Sequence, residues 1–426
     1  MFFCGSWKRR RKGDALAKLI VIGAGAAGMM AAGQAASAGL DVLLLEKMSR
    51  PGNKIRISGK GRCNLTNASP LHDFISHFNR EGRFLHQPFS YFFVDELMKF
   101  FTELGLPLVR ERGDRIFPAS GRAGDVVETL QQWLDSVGVE LRHQAIVEQI
   151  HTGEGNVTGV RCNGETLPCT RIILAAGGAS YPVTGSSGDG FRLAASVGHT
   201  VAALRPALVP LVVDDPTVRA MAGLDLKNVG LRIYIDGKRR ASDFGEVGFT
   251  RFGIGGPIIL THSRMIVDAL RTTKEVTVSL DLKPALDETK LDNRLQRDLH
   301  ARRDESIESV LRGLLPREMV ATCLNYCAVD ARKSARLING RERMRLRRLL
   351  KDFRIDITGH RPLAEAIVTA GGIPPAEINP RTMESTRVKG LYLCGELLDI
   401  DGDTGGYNLQ AAFSTGWLAG RSAAAA

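Results

Sequence analysis

The 426 residues contain no C-x-x-C pair and no cysteine pair followed by a histidine pair at zinc-finger spacing. Seven cysteines (Cys4, Cys63, Cys162, Cys169, Cys323, Cys327 and Cys394) are scattered along the chain. That scatter argues against a disulfide framework or structural zinc, and it fits a reducing, cytoplasmic setting. The nine histidines show neither metal-ligand nor triad spacing, so no metal is expected. Internal repeats and low-complexity tracts are missing, apart from the Ala423–Ala426 tail. Only one apolar run approaches membrane-spanning length. It is Leu19 to Leu40, 22 residues without a charge, preceded by Lys8-Arg9-Arg10-Arg11-Lys12. A basic stretch followed by an apolar one has the outline of a signal peptide or membrane anchor.

Glycine resolves that run. Leu19-Ile20-Val21-Ile22 is a short strand signal, and Gly23-Ala24-Gly25-Ala26-Ala27-Gly28 follows with the spacing G-x-G-x-x-G. Met29 to Ala38 reads as an Ala-rich helix closed by Gly39. Asp41-Val42-Leu43-Leu44-Leu45-Glu46 is a second strand ending in an acid, where a cleavage site would otherwise stand. Strand, glycine loop, helix, strand and acid together form a dinucleotide cradle. Gly23 permits the tight turn, Gly25 lets backbone amides approach a pyrophosphate, and Gly28 lets helix and strand pack closely. Ala26 and Ala27 open the helix, whose N-terminus carries partial positive charge. Glu46 can accept ribose hydrogen bonds, with Lys47 beside it. No membrane association is expected.

Elements further along bear on which dinucleotide. Lys54 to Asn67 is Gly-rich and cationic, with Lys54, Ser58, Gly59, Gly61 and Arg62 suited to a phosphate ester. Thr170 to Gly178 is a buried strand opening into small residues, Ala176 and Gly177 among them. Gly390 to Glu396 is a strand ending in Gly395-Glu396, followed by Gly405-Gly406-Tyr407-Asn408 at a helix start. A nucleotide fingerprint at the start and a strand–Gly–Glu element at the end is the layout of glutathione-reductase-type FAD domains. In that layout the late acid reaches the ribityl chain, and the last helix aims its positive end at the flavin.

The motifs SGKGRCNLTN (58–67), TGSSGDGF (184–191), GFTRFGIGGP (248–257), AGGIPPAEINPRTMES (370–385) and LYLCGELLDIDGDTGGYNLQAAFSTG (391–416) resemble the BaiN/YhiN-like flavoprotein family. Its members are labelled NAD(P)/FAD-dependent oxidoreductase, aminoacetone oxidase-like or bile-acid Δ-reductase. The likeness runs from about residue 16 to 422. It implies an α/β protein: a discontinuous Rossmann-like FAD domain with an inserted β-rich, barrel-like domain and a small helical domain. The corresponding boundaries are 16–204 and 361–422 for the FAD domain, 205–282 and 354–360 for the β-rich part, and 283–353 for the helices. In two places the chain departs from the family. Lys60 replaces a usual Gly, and Arg251 replaces a usual His, so any catalytic role of that His does not carry over.

The family likeness also implies two kinds of substrate: steroid-like enones, and a uridine of large-subunit ribosomal RNA that becomes dihydrouridine. Both offer a C=C bond conjugated with a carbonyl, to which flavin delivers hydride while a general acid protonates the other carbon. Charge favours RNA. Residues 332–354 hold ten Arg and Lys against Glu342 and Asp352, while the whole chain is +11. Arg341, Arg345 and Arg348 line one face of a helix there, able to neutralise phosphates, or else a solvated face. A small-molecule flavoenzyme (enone or steroid reductase, or amine oxidase) is the alternative, and a flavin-bearing binding protein without turnover comes last. Cys63, in the Gly-rich loop, is the first candidate for the acid, against the simpler reading of a small residue packed on the cofactor. Tyr407 and Asn408 are expected to contact flavin or substrate, and Arg251 a carbonyl or phosphate. With no second G-x-G-x-x-G, NAD(P)H is expected as a transient donor.

Overall fold

A computed structural model describes residues 19–426 apart from Thr273. The basic run Lys8–Lys12 and the expected domain start at residue 16 lie outside the described residues. The chain divides into two compact units, one comprising the described residues up to Leu204 with Gly371–Ala426, the other Arg205–Ala370.

In the first unit, β1 (Leu19–Ile22) and β2 (Val42–Leu45) are buried at every residue. Runs without a polar side chain suit the centre of a sheet covered on both faces. With β3 (Glu140–Arg142) and β4 (Arg171–Leu174) they form a parallel five-stranded sheet ordered Leu391–Leu393, β4, β1, β2, β3. The late strand is thus separated from β1 by β4 alone. The uncharged run is therefore strand, loop and helix, and no helix among the described residues is long and apolar enough to cross a membrane.

Between β1 and β2 runs α1 (Ala26–Ser37), buried at ten of its positions. Its Ala and Gly content follows from how closely the closing helix, Tyr407–Ala425, approaches it. A Cβ at Gly416 would stand 2.3 Å from the Ala27 carbonyl oxygen, and one at Gly420 2.3 Å from that of Ala31. Backbones this near leave no room for a side chain.

The second unit is built on β5 (Leu211–Val212), β6 (Asp225–Ile235), β7 (Lys238–Thr250), β8 (Gly253–Gly255), β9 (Val276–Asp281), β10 (Phe353–Asp356) and β11 (Gly359–His360), ordered β10-β9-β6-β7-β8-β5-β11. Only Ile357 and Thr358 separate β10 from β11, so one short segment closes the order on itself and makes the sheet barrel-like. Helices α2 (Glu288–Ala301), α3 (Arg317–Tyr326) and α4 (Gly340–Lys351) have no core of their own. Leu291, Leu295, Leu324 and Leu350 share one apolar cluster with Leu231, Ile233 and Val278 of the barrel. The helices expected as a separate domain over 283–353 therefore belong to the barrel's unit. That unit ends at Ala370 rather than at 360.

Candidate functional site

The glycine loop after β1 has the geometry its spacing demands. Gly23 has φ +100°, and a Cβ there would stand 2.6 Å from the Ala175 carbonyl oxygen. At Gly28 a Cβ would meet the Gly23 carbonyl oxygen at 1.8 Å. Gly25, the N-cap of α1, differs: a Cβ there meets no atom within 4 Å. Its Cα–H faces open space where Ala26, Ala27 and Gly28 begin the helix, a kind of helix start able to hold a pyrophosphate. Glu46 closes the loop, accepting hydrogen bonds from the backbone N–H of Ala24 and of Met48, each at 2.8 Å. A carboxylate has further lone pairs, so ribose hydroxyls can still be accepted.

Residues far apart in sequence meet beside this loop. Lys54 Nζ donates to Glu396 at 2.6 Å and to Ser180 Oγ at 2.7 Å, tying the early cationic segment to the late acid. Lys47 pairs with Asp189 at 2.5 Å and with Ser187. Burial alone would raise the Asp189 pKa, but Lys47 and Ser187 outweigh it and hold the carboxyl below its ordinary range. Gly177 follows β4 at φ +73° with Ala176 before it, and Gly395 donates to Thr415 Oγ1 at 3.0 Å. Gly405 and Gly406 lead into the closing helix, where a Cβ on Gly406 would strike the Thr66 backbone at 2.5 Å.

Two observations test the fit to FAD. Asn64 Oδ1 and Thr66 Oγ1, next to that helix start, are buried without a partner among the described residues. Buried polar atoms rarely stay unpaired, and a flavin ring edge supplies donors and acceptors for them. The open space at Gly25 is the cradle a side chain would fill. The residues fit the group.

Several expected site residues have other partners. Arg62 makes a double hydrogen bond to Glu111 and lies 4.3 Å over the Phe117 ring. Asn408 accepts from Gly402 N–H and donates to the carbonyls of Gly402 and Asp403, so its amide holds a turn. Cys63 is fully buried, and burial, offset only partly by Ser58, pushes its thiol up to about 12. Asn53–Gly61 is helical but breaks at Ser58, with Gly59 and Lys60 left-handed and the Ser58 hydroxyl turned back to the Ile55 carbonyl. Gly61 follows at φ +84°.

One pair was not singled out in the sequence. His77 Nδ1 lies 2.9 Å from Asp403 Oδ2, and its ring stacks on Tyr407 with centroids 4.1 Å apart. Residues 326 positions apart give no spacing signal, and only the fold brings them together.

In the second unit, Arg251 is exposed in the turn from β7 to β8, its guanidinium 4.7 Å over Phe252. Much of the basic run 332–354 is neutralised internally. Arg343 pairs with Asp292, Lys333 with Glu342 and Lys351 with Asp281. Arg341 and Arg348 are exposed and have no carboxylate partner among the described residues. Arg345 donates to the carbonyls of Cys327 and Ala328 at the end of α3. Exposed Met344 completes the i, i+3, i+4, i+7 face of α4.

A doubly covered parallel sheet with this glycine loop, late acid and closing helix defines an FAD-dependent oxidoreductase. Comparison with known proteins places it further. The model of the HI0933-like protein Rossmann domain matches residues 17–422, and the chain belongs to that family. It is 34% identical to the 3-dehydro-bile acid delta(4,6)-reductase of Clostridium scindens, covering 95% of this chain and 98% of that protein. It is 30% identical to the ribosomal RNA dihydrouridine synthase of Escherichia coli, covering 93% and 96% respectively. Among solved structures, the 3-ketosteroid delta1-dehydrogenase of Sterolibacterium denitrificans shares the fold, with TM-score 0.51, 15% identity and coverage of 96% and 99%.

Proposed function

We propose that this chain reduces a C=C bond conjugated with a carbonyl, and that its substrate is a uridine of large-subunit ribosomal RNA, with NAD(P)H as donor. The observation that carries the RNA assignment is the α4 face, where Arg341 and Arg348 stand exposed and uncompensated beside Met344. Phosphate neutralisation needs such free cations. FAD bound here would supply the two-electron hydride chemistry between the donor and the electron-poor carbon. Gly25 and the N-terminus of α1 would bind its pyrophosphate, Glu46 its adenosine ribose, and Glu396, held by Lys54, its ribityl chain. Gly406 and Tyr407 place the positive end of the closing helix by the ring. Cys63, enclosed and protonated, packs and does not transfer the proton. The buried cysteines suit a cytoplasmic protein.

The bile-acid reductase likeness favours a second reading, a small enone as substrate. Mass spectrometry of ribosomal RNA nucleosides, with and without the gene, separates the two. Loss of one dihydrouridine on deletion, restored by the purified protein with NAD(P)H, supports RNA. An unchanged dihydrouridine content assigns the small enone.

A further inference from the structure

We propose that His77, held by Asp403, donates the proton that completes reduction of the C=C bond; the inference rests on the C=C reading above. Two contacts fix the pair, since the Asp403 backbone N–H also donates to the His77 carbonyl at 2.9 Å. The imidazole lies on the Tyr407 ring at an interplanar angle of 21°, and Tyr407 is wedged edge-on against Phe74 at 4.7 Å. That floor is rigid, yet the His77 side chain is 38% exposed. With Nδ1–H donating to the carboxylate, Nε2 is the nitrogen free to face a substrate. The same corner holds the unpartnered Asn64 Oδ1 and Thr66 Oγ1, and Asn67 Nδ2 reaches the Gly405 carbonyl at 3.4 Å. Polar atoms awaiting a ligand and an oriented imidazole share one loop cluster.

Negative charge surrounds the ring. Asp403 faces it directly, while Asp73 and Asp114 act on the neighbouring Tyr407. Burial raises the Tyr407 phenol and keeps it protonated. Asp114 is bound to Arg110 at 2.7 Å, and exposed Asp73 lies beside His72.

The reaction balances as follows. Hydride, carrying two electrons from the reduced cofactor, forms a C–H bond at the β carbon, and the π pair of the C=C bond moves towards the carbonyl. The α carbon of this enolate takes the proton from Nε2–H. The N–H bond breaks, its electron pair stays on the ring, and solvent returns the proton.

A latch between loops would place the same two residues together. However, the turn is already anchored by Asn79 Nδ2, which donates to Asp401 at 2.8 Å and to the Asp399 carbonyl at 3.2 Å. His77→Asn separates the roles, because an Asn amide N–H can replace Nδ1–H towards Asp403 while no acid remains. The variant is to be compared with the parent in apo-protein melting, FAD uptake, reduction by NADPH, and stopped-flow reoxidation by cyclohexenone or a ribosomal RNA fragment across pH. Melting, FAD uptake and reduction should match the parent. Reoxidation by either acceptor should slow by about a hundredfold or more. Asp403→Asn should slow the same step less. Parent-like reoxidation of the Asn variant overturns the proposal, as does a loss that merely follows lost FAD. A parent that reduces the enone but not RNA removes the RNA reading and leaves His77 judged on the enone. A parent reoxidised by neither acceptor overturns both.

Discussion

Gly25 and Lys60 lie in two loops of the cradle and respond oppositely to the size of a side chain. At Gly25 the protein leaves space, so Gly25→Val should fold with a melting midpoint like the parent's and yet fail to bind FAD, giving a colourless protein. A yellow variant would mean the pyrophosphate lies elsewhere. Lys60 stands at φ +58°, a conformation that costs a residue with a Cβ about 1–2 kcal/mol. It is exposed. Lys60→Gly should therefore raise the denaturant midpoint at unchanged slope, by about 1 kcal/mol. A lower midpoint would show that the lysine makes a contact worth more than its strain.

On α4, charge that looks continuous in sequence divides into neutralised and free groups. Arg341→Gln with Arg348→Gln should leave FAD binding and reduction by NAD(P)H intact, because Gln keeps helix propensity. Their effect should fall on RNA affinity, flattening its salt dependence by about 0.7 per lost phosphate contact. An RNA salt series superimposable on the parent's would make the face a solvated one. Arg345→Gln behaves differently, since it uncaps the last carbonyls of α3 and should lower stability by about 1 kcal/mol. What the sequence revealed follows the same division. The glycine fingerprint was legible because every part lies within one β–α–β unit and each has a fixed spacing. β7 was not, because only Val247, Gly248 and Phe249 of its thirteen residues are buried, leaving no apolar run to notice. Its signal was the turn before it, where Asp236 and Gly237 both have positive φ, as tight hairpins require. The engagement of Arg62 and Asn408 was equally hidden, because their partners are set by tertiary contacts rather than by residue type.

Across the whole molecule, acid should act on a buried network in the first unit. His199 lies between Glu377 at 2.8 Å and Ser385 Oγ at 2.8 Å, and Arg387 also binds Glu377. Burial would raise the Glu377 pKa, but Arg387, Thr200 and His199 outweigh it and lower it to about 2. Burial lowers that of His199. Both folded values are depressed, so each contribution is present above the ordinary pKa and lost on acidification, first from His199 and then from Glu377 below about pH 4.5. Glu377→Gln should flatten the fall in stability between about pH 4.5 and 2, where the parent loses up to about 3 kcal/mol from this group. Urea unfolding at a series of pH values measures it, and a Gln variant as acid-sensitive as the parent would place the lability elsewhere.

The Lys54–Glu396 contact also sets an order of events during synthesis. The ribosome makes the glycine loop before the acid, the edge strand and the closing helix that complete the cradle. The entire barrel unit is translated between these two halves. A nascent chain therefore cannot hold its flavin until residues 391–425 have been made, and α1, with its small-residue face, waits uncovered until the closing helix arrives. Chains stalled or cut before residue 371 should be colourless and held by chaperones, however much FAD the cell contains.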